Sequence, residues 1–226
     1  MSVNGGPKIV EDGLIYCISP EDAYSYIDGD PSVYDLTDNY GPSEIVGVTD
    51  TDGVWQFGNQ DGSRIRTPIP GSQLTGPFTF SAWVKNTGDD GSQSSRNRIF
   101  TIWRASDSSR FIGFVENNVL KVYQDGPATT YSVGSIQYNK WYYLSYSYDG
   151  SIVNVFKDAI ISDSQALTFS TSVNDNLRIG IFSENVSLYD QRRFFGFMSD
   201  IQIYNRPIGF NEHLQNYNAT KGRFGY

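Results

Sequence analysis

Twenty-five carboxylates, one histidine and one cysteine are the reactive groups of this chain. Nineteen of the carboxylates are Asp, and the six Glu (Glu11, Glu21, Glu44, Glu116, Glu184, Glu212) are scattered. Cleavage of a glycosidic bond needs two carboxyls facing each other across it, and on one strand face that means acidic residues two apart. The Glu positions offer no such spacing. His213 has no nucleophile and acid around it, so a hydrolytic triad is not expected. One Cys and one His exclude a structural zinc site, and no intrachain disulfide can form. Cys17 lies in the apolar run Leu14-Ile15-Tyr16-Cys17-Ile18, which predicts a buried, inert thiol. Glycine-rich phosphate loops are absent. On these residues the chain is not an enzyme.

Two kinds of binding chemistry remain. Short carboxylates on loops form turns, and they are also the residue type that Ca²⁺ prefers. Aromatic rings pack on sugar rings, and the chain holds 16 Tyr, 14 Phe and 4 Trp. The loop residues Tyr24, Tyr26, Tyr34 and Tyr40 are the carbohydrate-binding candidates; they could equally cover the core or face another subunit. Tyr142, Tyr146 and Tyr148 share one strand face with Leu144 and read as core. The net charge of −8 repels a phosphate backbone and argues against nucleic acid.

The elements that must position these groups are short strands. With 226 residues, 22 Gly and only 19% charged residues, the composition suits strands and turns and a single core. Phe78-Thr79-Phe80-Ser81-Ala82-Trp83-Val84-Lys85 alternates, with Phe78, Phe80, Ala82 and Val84 on one face. Glu116-Asn117-Asn118 joins two β-rich runs as a hairpin. Asp149-Gly150 joins two more and favours a type I′ turn. One helix is expected near the end, where Phe210, Leu214 and Tyr217 recur at helical spacing and would pack on the strands. His213 lies beside that stripe, exposed or hydrogen-bonded. Asn86 to Arg98 is a long polar loop, either an interaction loop or a plain insertion. Residues 1–12 form a polar arm ahead of one domain over 13–226. The start lacks the features of a signal peptide, and no apolar run is long enough to span a membrane.

Five segments resemble laminin-G-like domains of the concanavalin-A-like lectin/glucanase type. They are Ile9 to Tyr16, Val33 to Asn39, Phe78 to Val84, Asn139 to Gly150, and Phe195 to Arg206, in the family's order. Pro207-Ile208-Gly209 replaces the usual Ala-Leu-Ser before the helix, and Gly caps a helix only slightly less well than Ser. The resemblance implies an all-β fold, a two-sheet antiparallel jelly-roll sandwich with one short C-terminal helix. It implies a structural Ca²⁺ held by Asp35, Asn39 and Asp200. The glucan-cleaving members' Glu-x-Asp-x-Glu strand is missing here.

The closing segment Asn216 to Gly225 is similar to the tails of laminin-G-like proteins of tailed phages. That likeness implies a virion surface protein, made in a host cytoplasm, decorating a capsid or riding on a fibre. Its partners would be other virion proteins, further copies of itself, or a glycan. Pro7, Lys8, Ile9 and Val10 would be the anchoring arm. The alternatives are a stand-alone carbohydrate-binding module and, less favoured, a glycoside hydrolase.

Overall fold

The computed structural model describes residues 8–58, 62–88, 96–102, 111–124, 129–167, 175–181 and 193–226. Its strands are, in chain order, β1 (Leu14–Ile18), β2 (Ser32–Val33), β3 (Ser43–Val46), β4 (Thr49–Thr51), β5 (Val54–Phe57), β6 (Arg64–Pro70), β7 (Phe78–Asn86) and β8 (Arg96–Ile102). Then come β9 (Phe111–Glu116), β10 (Val119–Gln124), β11 (Thr129–Ser135), β12 (Trp141–Tyr148), β13 (Ile152–Lys157), β14 (Ile160–Ala166), β15 (Asn176–Ile179) and β16 (Gly196–Tyr204). Helix α1 (Phe210–Thr220) runs into a 3-10 turn, Lys221–Phe224.

The strands form two eight-stranded antiparallel sheets. The first has the order β14-β13-β12-β7-β16-β5-β4, with β1 beside the C-terminal half of β16. The second has the order β11-β10-β9-β8-β15-β6-β3-β2. This is the expected all-β sandwich with one short C-terminal helix. The alternation in β7 sets the layers: Phe78, Phe80, Ala82 and Val84 are buried between the sheets. Phe80 stacks on Phe100 of the opposite sheet with ring centres 4.3 Å apart. Tyr142, Tyr146 and Tyr148 lie in the same core, as their strand face predicts.

The two hairpins differ in kind. Asn117 and Asn118 both have positive φ (52° and 63°), so β9 and β10 are joined by a tight two-residue turn. The Asp149-Gly150 turn is not type I′, because only Gly150 has positive φ. Instead the Asp149 carboxylate accepts the amides of Ser151 and Ile152 at 2.8 and 2.7 Å and shapes a wider turn. The polar loop after β7 is described only to Gly88, and residues 89–95 lie outside the described residues.

Helix α1 buries a different face from the one its apolar residues suggest. Phe210 is 53% and Leu214 37% exposed, while His213 and Asn216 are fully buried. Glu212 accepts the Gly209 amide at 2.8 Å and caps the helix where Ser is absent. His213 is buried rather than exposed. It packs on Phe156 with ring centres 3.7 Å apart, and neither ring nitrogen meets a partner in good geometry.

Burial pulls the pKa of His213 from 6.5 to about 4, and the Ile208 backbone and Glu212 offset only part of that. The unfolded chain takes up this proton near pH 6.5 and the folded chain only near 4. The unfolded state therefore binds more protons across that window, and stability falls as pH drops through it. The loss attributable to His213 is on the order of 2–3 kcal/mol. His213→Phe is expected to remove that part, leaving a flatter curve of melting temperature against pH between 7 and 4. Parallel curves for the two proteins would refute it.

Candidate functional site

The outer face of the first sheet carries the residues that alternate with the core. On β7 these are Thr79, Ser81, Trp83 and Lys85. Directly opposite them on β12 stand Ser147, Ser145, Tyr143 and Trp141. Each pair is a cross-strand contact on one face of the sheet. At the first two pairs small hydroxyls meet: Thr79 donates to Ser147 at 3.2 Å, and the Ser81 and Ser145 hydroxyls are 2.7 Å apart. The segment leading into α1 lies on them, with Ser147 donating to the Ile208 carbonyl and Thr79 accepting the Ile208 amide. At the third pair, Trp83 is covered by Phe224 of the 3-10 turn, stacked at 4.2 Å, and by Tyr217 of α1. The Trp83 indole N–H donates to Thr220 at 2.8 Å.

The cover ends there, and the fourth pair opens into a groove. Lys85 stands between Trp141 of β12 and Phe197 of β16, its register neighbours on the two flanking strands. The three are half-buried. The Lys85 ammonium lies 4.3 Å from the Phe197 ring centre and 5.2 Å from that of Trp141. Phe224 closes the inner end, edge-on to Trp141 at 4.8 Å. The β4–β5 turn (Thr51, Asp52, Val54), Glu21 and Arg223 form the far wall. The groove has a volume of about 390 Å³, within the range of small-ligand sites. Arg223 is held by the protein: it pairs with Glu21, donates to both oxygens of Asp200 at 2.7 Å, and reaches the Gly53 carbonyl.

None of these groove residues was singled out for binding from the sequence, although the signal was there. The alternation that places Phe78 to Val84 inward also places Trp83 and Lys85 outward. What the sequence lacks is the register that brings Trp141 and Phe197 to either side of Lys85.

The residues that were singled out lie elsewhere. Tyr24 is 88% exposed, and Tyr34 is also exposed. Tyr26 is not an exposed loop residue; it is buried edge-on against Trp55 in the core. Tyr40 is half-buried beside Tyr16 and hydrogen-bonded to Gln73. Among the described residues of the anchoring arm, the Val10 amide donates to Asn216 at 2.8 Å and its carbonyl accepts from Tyr204 at 3.0 Å. The Lys8 carbonyl accepts from Gln215, and Ile9 lies near Leu14 and Leu36. This stretch is a strap across the chain's own helix and last strand. Pro7 lies outside the described residues.

A calcium ion takes six to eight oxygen ligands whose lone pairs point at it. Here the lone pairs of Asp35 and Asp200 already face protein donors. Asp35 accepts the amides of Cys17, Thr37 and Tyr40 and the Thr37 hydroxyl. Asp200 is held by Arg223 and by the Ser19 hydroxyl at 2.7 Å. Asn39 turns its NH₂ group to Thr37 and the Ile15 carbonyl. As arranged, the three do not fit a calcium site. Among the described residues no group of three or more His, Cys, Asp or Glu lies close enough to hold a metal. Burial pushes the Cys17 thiol well up, in keeping with an inert side chain.

Two antiparallel sheets packed face to face, with the tail folded over one outer face, define a lectin-type jelly-roll domain. The chain belongs to the concanavalin A-like lectin/glucanase superfamily, whose laminin-G-type model matches residues 46–212. No curated protein matches the chain in sequence. Solved structures share its fold at low identity. Trypanosoma rangeli sialidase, in complex with sialic acid, superposes with a TM-score of 0.74 at 14% identity, over 94% of this chain and 34% of the sialidase. The chain thus spans about a third of that enzyme. Domain 4 of the extracellular arabinanase AbnA from Geobacillus stearothermophilus, in complex with arabinotriose, gives 0.65 at 18% identity, over 90% of this chain and 98% of the domain. The receptor-binding domain of botulinum neurotoxin type G gives 0.64 at 16% identity, covering 91% of this chain and 51% of that one.

Proposed function

We propose that this chain binds carbohydrate without cleaving it, and that the groove beside Trp141 and Phe197 is the binding site. The supporting observation is the pair of half-buried aromatic rings flanking one lysine in an open groove on a lectin-type sandwich. A sugar ring has an apolar C–H face and a polar rim. Aromatic walls suit the face, and charged groups around the groove suit the hydroxyls. Hydrolysis would need two carboxyls opposed across the bond, one of them free to give a proton. Of the groove's two carboxylates, Glu21 is tied to Arg223, which leaves Asp52 without a free carboxyl opposite it. The arabinanase domain bound to arabinotriose has the same fold, which supports a binding role.

A glycan array followed by titration calorimetry tests the reading. Trp141→Ala is expected to weaken the best array ligand at least tenfold, about 1.4 kcal/mol. Tyr24→Ala and Tyr34→Ala, which change exposed rings outside the groove, are expected to leave binding unchanged. Loss of binding in the tyrosine variants with full binding by Trp141→Ala would move the site to the loops.

A further inference from the structure

Resting on the glycan-binding reading above, we infer that the sugar carries a carboxylate, a uronic-acid residue, and that Lys85 holds it. Several cations of the sheets and the tail are neutralised by carboxylates, while Lys157 of β13 donates to the Ser135 carbonyl. Arg66 pairs with Glu44, Arg96 and Lys121 with Glu116, Arg178 with Asp175, and Arg223 with Asp200 and Glu21. Lys85 is half-buried like several of these. Yet among the described residues its ammonium has no carboxylate within ion-pair distance and no hydrogen-bond acceptor. Its contacts are the faces of Trp141 and Phe197.

Ring faces attract the charge but accept none of its three N–H bonds in the manner of an oxygen. Glu21 and Asp52 line the same groove, and neither reaches the ammonium. Glu21 is occupied by Arg223, and Arg223 has its own donors committed to Asp200 and the Gly53 carbonyl. Lys85 is therefore the cation in the groove that has no protein acceptor of its own among the described residues.

The row geometry selects the type of acid. Trp141 and Lys85 are direct cross-strand neighbours, so an anion for Lys85 must project sideways from a ring packed on the aromatic wall. The carboxylate of a uronic acid extends from the edge of the pyranose, roughly along the ring plane. The protein's net charge of −8 repels anions at long range, so any preference for an acid has to arise at this contact.

Binding of oligogalacturonate and of its carboxyl-reduced, neutral counterpart to the full chain tests this, with thermal melting to confirm that each variant folds. The wild type is expected to bind the acidic oligomer at least tenfold more tightly than the neutral one. Lys85→Met keeps the stem that lies on the rings and is expected to erase that preference while retaining neutral binding. Lys85→Arg is expected to keep the preference. Equal binding of the two oligomers by the wild type, or a preference that survives Lys85→Met, overturns the assignment to Lys85. If neither oligomer binds but the array finds a neutral ligand that Trp141→Ala loses, this inference fails and the glycan-binding reading stands. A blank array removes both.

Discussion

Arg223→Leu is expected to destabilise the protein by about 3 kcal/mol, toward the low end of the cost of stripping a buried ion pair of one partner. The reason lies with Asp200 rather than with the arginine. The Asp200 side chain is 7% exposed, and Arg223 gives it two bonds of 2.7 Å. Without the guanidinium, a nearly buried carboxylate keeps only the Ser19 hydroxyl as a close donor. The backbone adds to the cost. Asp200 sits in the middle of β16 with φ of 48°, where the register with β7 shifts between Ser199 and Gln202. An Asp tolerates that conformation better than most residues, but still at some strain. The ion pair holds the bulge in place, and it also fixes the 3-10 turn whose Phe224 stacks on Trp83.

For a chain of this size the loss corresponds to a fall in melting temperature of roughly 6–12 °C. Arg223→Leu combined with Asp200→Asn is expected to recover part of it, because the amide removes the stranded charge. A double-mutant cycle measured by denaturant unfolding reads the coupling directly. Coupling near zero would show that the pair does not hold the bulge.

That pair also marks a limit of what the sequence discloses. The layering of β7 was legible because alternation is a local property, and so were the Asn117-Asn118 hairpin and the sandwich class. The role of Asp200 was not. The resemblance pointed to a cation there, and a cation is what the carboxylate meets, but it is a guanidinium from 23 residues further along. Only the folding back of the tail brings it in. Helix α1 was misread for a related reason. Phe210 and Leu214 have helical spacing, but the surface beneath α1 is partly polar, with the Tyr204 hydroxyl and the Trp83 indole N–H. Asn216 fits that surface by bonding Tyr204 and the Val10 amide at once, so the helix turns its polar face inward. Hydrophobic periodicity predicts burial only when the partner surface is apolar. Tyr26 does lie in a loop, between β1 and β2, but its burial was not legible because Trp55, the ring it packs against, is distant in sequence.

Gly196→Ala tests how tightly the groove depends on the sheet. Gly196 opens β16 opposite Asn86 of β7 and Phe57 of β5. Its φ is 142°, and a Cβ there would lie 2.0 Å from the Lys85 carbonyl oxygen. That oxygen belongs to a strand paired on both sides, so it cannot retreat as the end of a flexible side chain could. The methyl must push β16 away from β7 at the row that holds Phe197 beside Lys85. The expected loss is about 3–4 kcal/mol, from the clash and the unfavourable φ together. Gly222→Ala is the matched control: it lies in the tail, where a Cβ meets nothing within 4 Å, and it is expected to stay within about 0.5 kcal/mol of wild type. Because the displacement falls on Phe197 and the Lys85 backbone, Gly196→Ala is also expected to lose glycan affinity at temperatures where it remains folded. Gly222→Ala is expected to keep it. Melting curves and calorimetric titrations of the two variants side by side separate these outcomes. A Gly196→Ala protein that is as stable as Gly222→Ala and binds as well would mean that β16 can shift without moving the groove, and the row could not then be what fixes the site.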